Sequence, residues 1–260
     1  MPRRFREILA SGDLARVFCI GRLVDTIVID MFALAGDFDG FWIDQEHVGL
    51  TWKEIQLATT TARANQFDTI VRLAPTGYSA VTQALEAGGG GVMAAQVLSA
   101  EHAEQFMQWA KFAPRGLRGM NAQGRDANYT HLDQKAFAEK ANREHFTAIQ
   151  IETLGAIADA DKIAAIDGVD LLFLGPADLS QCLGVQGDKH HPKVWEAYDR
   201  VAKACKNSGK HWGTVCPDQM FADRCYDMGC RMLSFGGDML AMKFGITALK
   251  QSFANHFPKK

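Results

Sequence analysis

The chain has 260 residues, of which 47% are hydrophobic and 22% charged, and its 28 basic and 30 acidic side chains give a formal net charge of -2. This composition is typical of a globular protein and excludes a disordered chain. The near-neutral charge argues against a dedicated nucleic-acid binder or a protein of anionic membrane surfaces. The length suits one (β/α)8 barrel or two small domains.

The amino terminus and the cysteines predict a cytoplasmic protein. The basic start of the chain is not followed by an apolar segment, so we expect no signal peptide. No run reaches the ~18 apolar residues of a membrane helix, and the longest, Ile27 to Ala35, is interrupted by Asp30. The six cysteines form no C-x-x-C pair, and we expect them to be reduced and mostly buried.

Short apolar runs alternate along the chain with stretches of helical period. Runs that are apolar on both faces and end in a polar residue or Gly are typical of buried parallel strands. The predicted strands are Val17–Ile20, Phe41–Asp44, Thr69–Leu73, Val92–Val97, Ala148–Glu152, Leu171–Gly175, Trp212–Cys216 and Met232–Phe235. The predicted helices between them are Trp52–Asn65, Ser79–Ala87, Glu101–Lys111, Leu154–Ile166, Pro192–Asn207 and Gln219–Met228.

Eight strand–helix units in a chain of this length predict an α/β protein with a (β/α)8 TIM-barrel fold, as a single domain over residues 1–260. A doubly wound sheet is the alternative. The segment Phe112–His145 lacks strand character, and we expect a long functional loop there. The helix predicted from Met239 to His256 is too apolar for a solvated tail, so we expect it to pack on its own barrel or on a neighbouring subunit.

Barrel enzymes place their catalytic groups at the carboxyl ends of strands. Glu152 and Asp178 follow adjacent strands, and two converging carboxylates repel each other unless a cation lies between them. A site of carboxylates and water selects a hard divalent ion such as Mg²⁺ or Mn²⁺. The alternative is that Glu152 is a solvated carboxylate at a strand end and Asp178 caps a helix.

Two further strand-end residues are candidates for catalysis. An arginine inside a barrel strand is costly unless it meets an anion. We therefore expect Arg72 either to bind a substrate carboxylate or enolate oxygen, or to pair with an internal carboxylate. Histidine is the side chain suited to acid–base catalysis near neutral pH, so His47 at a strand end is a candidate, although a single histidine is more often structural. We expect His190 and His191 to be loop residues.

An absence and a set of motifs narrow the chemistry. No predicted strand contains a lysine, which argues against an aldolase that works through a Schiff base.

Several segments match a known family pattern in order and spacing. They are Phe41–His47, Val71–Arg72, Gln150–Glu152 and Phe173–Ser180, with Pro114–Gly119 in the long loop. In these segments the chain resembles the HpcH/HpaI family of class II pyruvate aldolases, and the resemblance covers most of its length.

The resemblance implies a (β/α)8 barrel whose last helix is exchanged between the subunits of a homo-hexamer, built as a trimer of dimers. It implies an enzyme that cleaves and forms 4-hydroxy-2-oxo acids or 2-keto-3-deoxy sugar acids, with pyruvate and an aldehyde as the products. Glu152 and Asp178 would hold a divalent metal, Mg²⁺ or Mn²⁺ or else Co²⁺. This metal would bind the oxygens of the pyruvate half.

The resemblance also implies roles for other residues. Arg72 would stabilise the enolate oxygen, and His47 would be the acid–base group. Gln150, Gly175 and the backbone of Ala177 would contact the substrate. Glu86 stands where relatives usually carry Asp, and would tune the histidine of an adjacent subunit.

The chain departs from the family pattern at three positions and in the run Gly88 to Gly91, which is more flexible than usual in the family. Gln45 stands where the family usually has Gly, Glu86 replaces Asp, and Ala95 replaces a frequent Pro. We expect these departures to affect the aldehyde partner more than the metal or pyruvate. The alternatives are oxaloacetate decarboxylation or a citrate-forming condensation through the same enolate, or a barrel that binds a 2-oxo acid with little catalysis.

Overall fold

The computed structural model describes residues 4–258. Eight parallel strands pair in chain order and close into a barrel, with β8 beside β1. The strands are β1 (Ala15–Ile20), β2 (Gly40–Asp44), β3 (Asp68–Leu73), β4 (Gly91–Ala94), β5 (Phe146–Ile151), β6 (Leu171–Leu174), β7 (His211–Val215) and β8 (Met232–Gly237). The predicted (β/α)8 fold is confirmed.

The helices lie between the strands and at the two chain ends. In chain order they are α1 (Phe5–Ala10), α2 (Thr26–Ala35), α3 (Trp52–Ala64), α4 (Tyr78–Glu86), α5 (Ala100–Ala110), α6 (Gln134–Glu144), α7 (Leu154–Ala158), α8 (Ala160–Ala165), α9 (Pro176–Cys182), α10 (Pro192–Ser208), α11 (Gln219–Asp227) and α12 (Asp238–Ser252). Within residues 4–258, no helix is both long and apolar enough to span a membrane.

The interior of the barrel is filled from the amino-terminal end. Successive side chains of a strand point to opposite faces, so alternate residues enter the barrel. A buried cluster joins the inward residues of the strands to α1, which places Phe5, Ile8 and Leu9 under the barrel with at most 1% exposure. The polar inward residues are thereby left at the carboxyl end.

Helices α2 and α6 are among those that the sequence pattern did not indicate. The interrupted apolar run after β1 is α2, capped by the Asp25 side chain, which accepts from the Ile27 N–H at 2.8 Å. The expected irregular segment before β5 ends in α6, which Asp133 caps. Few apolar residues mark α6, because only Phe137 and Ala141 of this helix are buried.

Several predicted elements have different limits in the structure, and two of these differences have a clear local cause. The helix predicted at Leu154–Ile166 is divided into α7 and α8 at Asp159, whose carboxylate accepts from the Ala100 N–H at 3.1 Å. The fourth strand ends at Ala94 rather than at Val97. The prediction was wrong there because Gln96, with φ of 50°, leaves the extended conformation. His190 and His191 lie in a loop, as predicted.

Helix α12 carries an apolar surface without cover in the single chain. Asp238 is its buried residue, and its Oδ2 accepts the backbone N–H groups of Gly21, Arg22 and Leu23 at 2.7–2.9 Å. The helix beyond it is exposed: Phe244 and Leu249 are each 62% accessible. Of the two placements expected for this helix, packing along its own barrel is wrong.

Candidate active site

The carboxyl ends of β2 and β3 hold a buried ion pair. Asp44 and Arg72 are partners in the strand register, and each is 7% exposed. Arg72 donates from Nε to Asp44 Oδ1 at 3.2 Å, and its Nη2 lies 2.9 Å from Asp44 Oδ2. The Trp42 ring stacks on the guanidinium, 4.6 Å from Cζ. Burial disfavours the charged guanidinium, but Asp44 and Glu46 outweigh it and raise the pKa of Arg72.

The loop after β2 brings a second carboxylate to this arginine. Asp44 Oδ1 accepts the backbone N–H groups of Glu46 and His47 at 3.1 and 3.3 Å. Glu46 turns inward, with Oε2 3.1 Å from Arg72 Nη1, and burial raises its pKa. His47 faces solvent with 61% of its side chain exposed, and its Nε2 lies 3.7 Å from Glu46 Oε2.

Glu152 comes directly after β5 and is 2% exposed. Its Oε1 accepts the backbone N–H and the side-chain amide of Gln96 at 2.8 and 3.0 Å. Burial raises the pKa of Glu152 to about 7, and the negative charges of Asp178 and Glu46 act in the same direction. The expectation of a solvated strand-end carboxylate is therefore wrong.

Gln150 and Gly175 lie next to the Glu152 carboxylate. Gln150 Nε2 donates to Glu152 Oε2, as the shared strand face predicted. A Cβ on Gly175 would lie 2.6 Å from Glu152 Oε2 and 2.8 Å from Gln150 Nε2. Residue 175 must therefore lack a side chain while these two groups keep their positions. Gln150 Oε1 is buried and has no hydrogen-bond partner in the structure.

Asp178 is the third residue of α9, in its first turn. The N-cap position belongs to Gly175, so the alternative in which Asp178 caps the helix is wrong. The Asp178 charge acts on the carboxyls of both Glu46 and Glu152, which places the three residues in one electrostatic cluster. Ala177 precedes Asp178 in the same turn and is exposed.

Glu86 lies apart from this cluster in the single chain. It is the last residue of α4, the helix that leads from the carboxyl end of β3 back to the amino end of β4. There it lines a surface cavity together with Arg125 and Tyr129. Its action on a histidine of an adjacent subunit remains a prediction.

Within residues 4–258, no three His, Cys, Asp or Glu side chains are arranged as a metal-binding group. The expected pair of Glu152 and Asp178 is a smaller set. Mg²⁺ is commonly bound by only one or two protein carboxylates, with water in its other positions. The pair therefore remains the candidate for holding a divalent ion.

Sequence reasoning gave no role to Asp44, Glu46 or Gln96. The position of Asp44 could have been predicted from the sequence. It ends β2, which pairs with β3, the strand that carries Arg72, and neighbouring parallel strands end at the same edge of the barrel. Glu46 and Gln96 come from loops, where alternation does not predict direction. Of the departures from the family pattern, Gln45 is half-buried and donates its backbone N–H to Arg72 O, and Ala95 is buried.

Comparisons with known proteins identify the family of the chain. The family model described as HpcH/HpaI aldolase/citrate lyase matches residues 24–243. The chain belongs to this family. It is 28% identical over 258 residues to a hydroxypyruvate/pyruvate aldolase of Pseudomonas aeruginosa, covering 98% of this chain and 94% of the relative. It is 31% identical over 205 residues to a 2-dehydro-3,6-dideoxy-6-sulfogluconate aldolase of Pseudomonas putida, covering 79% and 80%.

A solved structure of an aldolase from the same family has the same fold. The crystal structure of an HpcH/HpaI aldolase from Desulfitobacterium hafniense DCB-2 matches with a TM-score of 0.89 and 28% identity over 98% of both chains. The family predicted from the strand-end motifs is confirmed, and so is the enzyme class. The protein is a carbon–carbon lyase of the aldolase type.

Proposed function

We propose that this protein is a metal-dependent aldolase that cleaves 4-hydroxy-2-oxo acids or 2-keto-3-deoxy sugar acids to pyruvate and an aldehyde, and catalyses the reverse addition. The observation that carries the proposal is the position of Arg72. This buried cation lies at the carboxyl end of β3, held by Asp44 and Glu46 at 2.9 and 3.1 Å, at the end of the barrel where Glu152 follows β5 and Asp178 begins α9. A fixed cation beside paired carboxylates suits the formation of an enolate.

The donor set fits a hard divalent cation held by Glu152 and Asp178. Burial and the charges of Asp178 and Glu46 raise the pKa of Glu152, so the ionised carboxylate is unfavourable there without added positive charge. Gln150 Oε1 is buried without a hydrogen-bond partner in the structure and is a further acceptor next to Glu152, whereas Glu46 Oε2 is paired with Arg72 Nη1 at 3.1 Å. When bound, Mg²⁺ or Mn²⁺ supplies charge that stabilises the carbonyl and carboxylate oxygens of a 2-oxo acid.

The chain's own residues supply the rest of the chemistry. In cleavage, the C4 hydroxyl loses its proton, the C3–C4 bond breaks to release the aldehyde, and the electron pair moves onto the pyruvate half as an enolate. Arg72 donates hydrogen bonds to the oxygen on which this charge develops. Asp44 holds the guanidinium by Nε and Nη2, so the arginine does not have to reorganise during the reaction.

His47 is the proposed acid–base residue. It accepts the C4 hydroxyl proton during cleavage and returns a proton to C3 of the enolate when pyruvate forms, which restores the neutral imidazole. Its side chain is 61% exposed at the mouth of the site, where the aldehyde half of a substrate would lie. Gln150, Gly175 and the backbone of Ala177 are the proposed contacts of the pyruvate half.

The uncovered α12 supports a homo-oligomer, which we propose to be a hexamer of three dimers. A contiguous apolar helix face on the surface is typical of an interaction site. In such an assembly Glu86 would reach the site of a neighbouring subunit. The cysteines support a reducing compartment such as the cytoplasm, since all six are free and Cys205, Cys225 and Cys230 are buried.

Deuterium exchange into the pyruvate methyl group tests this proposal without a guess at the aldehyde. The exchange is followed by NMR in D2O after chelation, with and without Mg²⁺ or Mn²⁺. We expect metal-dependent exchange that is abolished in Glu152→Ala and reduced in Arg72→Lys, which keeps the charge but loses the fork of donors. A folded protein that catalyses no exchange with either ion would contradict the proposal, and faster turnover of oxaloacetate than of any aldol would favour a decarboxylase.

A further inference from the structure

A cavity of about 330 Å³ lies at the end of the barrel opposite the candidate active site. Its lining includes Asp68 and Thr69 at the start of β3, and Gly90 just before β4. Arg63 of α3 and Lys140 of α6 face it from two sides, and Arg4 from the segment before α1. The residues that line this cavity include none of those proposed for the aldolase reaction.

Arg63 has no carboxylate partner in residues 4–258. Its Nη2 donates a long hydrogen bond, 3.4 Å, to the carbonyl oxygen of Gly88. Its charged state is disfavoured there, because burial, and then the charges of Arg125 and Arg4, lower its pKa. A half-buried guanidinium among other cations is normally stabilised by an anion.

The carboxylates at this cavity do not neutralise the basic side chains. Arg4 is shared between Asp68 and Glu144, at 3.7 and 3.8 Å, and Lys140 lies 3.9 Å from the same Glu144 oxygen. These distances are longer than the ~2.7–2.9 Å of a charge-assisted hydrogen bond. The neighbouring Asp126 is engaged elsewhere, since it pairs with Arg118 at 2.6 Å. Positive charge therefore remains in excess.

We propose that this cavity binds a small doubly charged oxyanion, either a phosphate group or a dicarboxylate. The planar fork of Arg63 can donate two parallel hydrogen bonds to one such group. Lys140 and Arg4 supply further donors from other elements of the fold. The bound anion would join α3 and α6 to the amino-terminal end of the barrel, and would stabilise the folded chain.

The two anion sources are separated by titrating the full-length protein with inorganic phosphate and with succinate, in parallel with NaCl at matched ionic strength. Binding is measured by calorimetry, and the midpoint of thermal unfolding, Tm, is recorded at each concentration. We expect saturable binding of at least one anion and a rise in Tm that NaCl does not produce. Binding of phosphate but not succinate would identify a phosphate site, and the reverse a dicarboxylate site.

Variants assign the binding to this cavity. Arg63→Gln and Lys140→Gln are each expected to weaken binding about tenfold, the loss of one charged hydrogen bond. Lys193→Gln, an exposed change on α10 with the same loss of charge, is the matched control and should bind as the unaltered chain does. Absence of saturable binding would overturn the proposal. Binding that is unchanged in both the Arg63→Gln and the Lys140→Gln variant would also overturn it. Loss of binding in Arg72→Gln would do the same, because the anion would then occupy the candidate active site.

Discussion

Asp44 and Arg72 face each other across the β2–β3 register, with Nη2–Oδ2 and Nε–Oδ1 distances of 2.9 and 3.2 Å. The same carboxylate accepts the backbone N–H groups of Glu46 and His47. One side chain thus fixes both the arginine proposed to meet the enolate and the loop that carries the proposed acid–base residue. Asp44 is therefore the residue on which the shape of the site depends.

We predict that Asp44→Asn destabilises the protein strongly. Asparagine keeps an oxygen for the backbone N–H groups but loses the charge that compensates buried Arg72. Because Glu46 remains near the guanidinium, we expect the free energy of unfolding to fall by about 3 kcal/mol, the lower end for breaking a buried ion pair. Urea unfolding measures this change.

Asp39→Asn is the matched control for that variant. Asp39 pairs with Arg16 at 3.6 Å, and both side chains are partly exposed. Exposed pairs contribute less than about 1 kcal/mol, so this variant should lose much less stability. Equal losses in the two variants would show that the Asp44–Arg72 pair has no special role.

A second prediction concerns pH and Glu152 in the chelated protein. The folded state raises the pKa of Glu152 from 4.5 to about 7. Its protonated form is therefore favoured on folding, and this contribution is fully present below pH 4.5 and lost as the pH rises through 7. The loss amounts to about 3 kcal/mol, and Glu152→Gln, which cannot ionise, should not show it.

Urea unfolding of both proteins between pH 4.5 and pH 8 measures the difference. Rotation of the Gln150 amide would present its unpartnered Oε1 to the new side-chain amide, so the variant should fold. Glu139→Gln, an exposed change on α6, should follow the unaltered chain at every pH. A constant difference in stability between Glu152→Gln and the unaltered chain would contradict the raised pKa.

A third prediction follows from the space beside Gly175. A Cβ there would displace the ends of Glu152 and Gln150. We expect Gly175→Ala to reduce metal-dependent pyruvate exchange at least about tenfold, and overpacking to destabilise the protein by about 1–3 kcal/mol. Gly77→Ala adds a methyl group at a position with nothing within 4 Å, and should change neither quantity appreciably. Unaltered exchange in Gly175→Ala would show that the reaction does not depend on the positions that Glu152 and Gln150 have in the structure.

The sequence was sufficient for the barrel and for three of the site residues at strand ends, but it gave no role to Asp44 at the end of β2. Arg72, Gln150 and Glu152 follow the two-residue alternation of inward-facing positions, so their convergence could be predicted from strand ends alone. Glu46 and Gln96 could not be found in this way. Their directions are set by a turn folded onto Asp44 and by a left-handed residue after β4, and neither has a periodic signal.

Tertiary packing explains the remaining differences. Helix α2 is apolar on most of its surface, but only Ile29 of its residues is buried, so its pattern lacks the contrast between faces that marks a helix. The ion pair between Arg118 and Asp126 lies inside the segment expected to be a loop. Both side chains are almost fully buried, and Arg118 also contacts Phe137 and His145 from later parts of the chain. A prediction made from the local sequence does not reveal these contacts.

The last prediction concerns α12, where Phe244 and Leu249 are each 62% exposed. If a neighbouring subunit covers them, burial of each side chain contributes about 1.5–3 kcal/mol per contact to association. Phe244→Asp and Leu249→Asp should then raise the dissociation constant of the oligomer by more than about tenfold. Lys243→Asp changes charge on the same helix without removing apolar surface, and should weaken association less. Light scattering on a sizing column measures the mass of each variant, and circular dichroism establishes that it is folded. A monomeric unaltered chain would remove the basis for placing Glu86 in a neighbour's site.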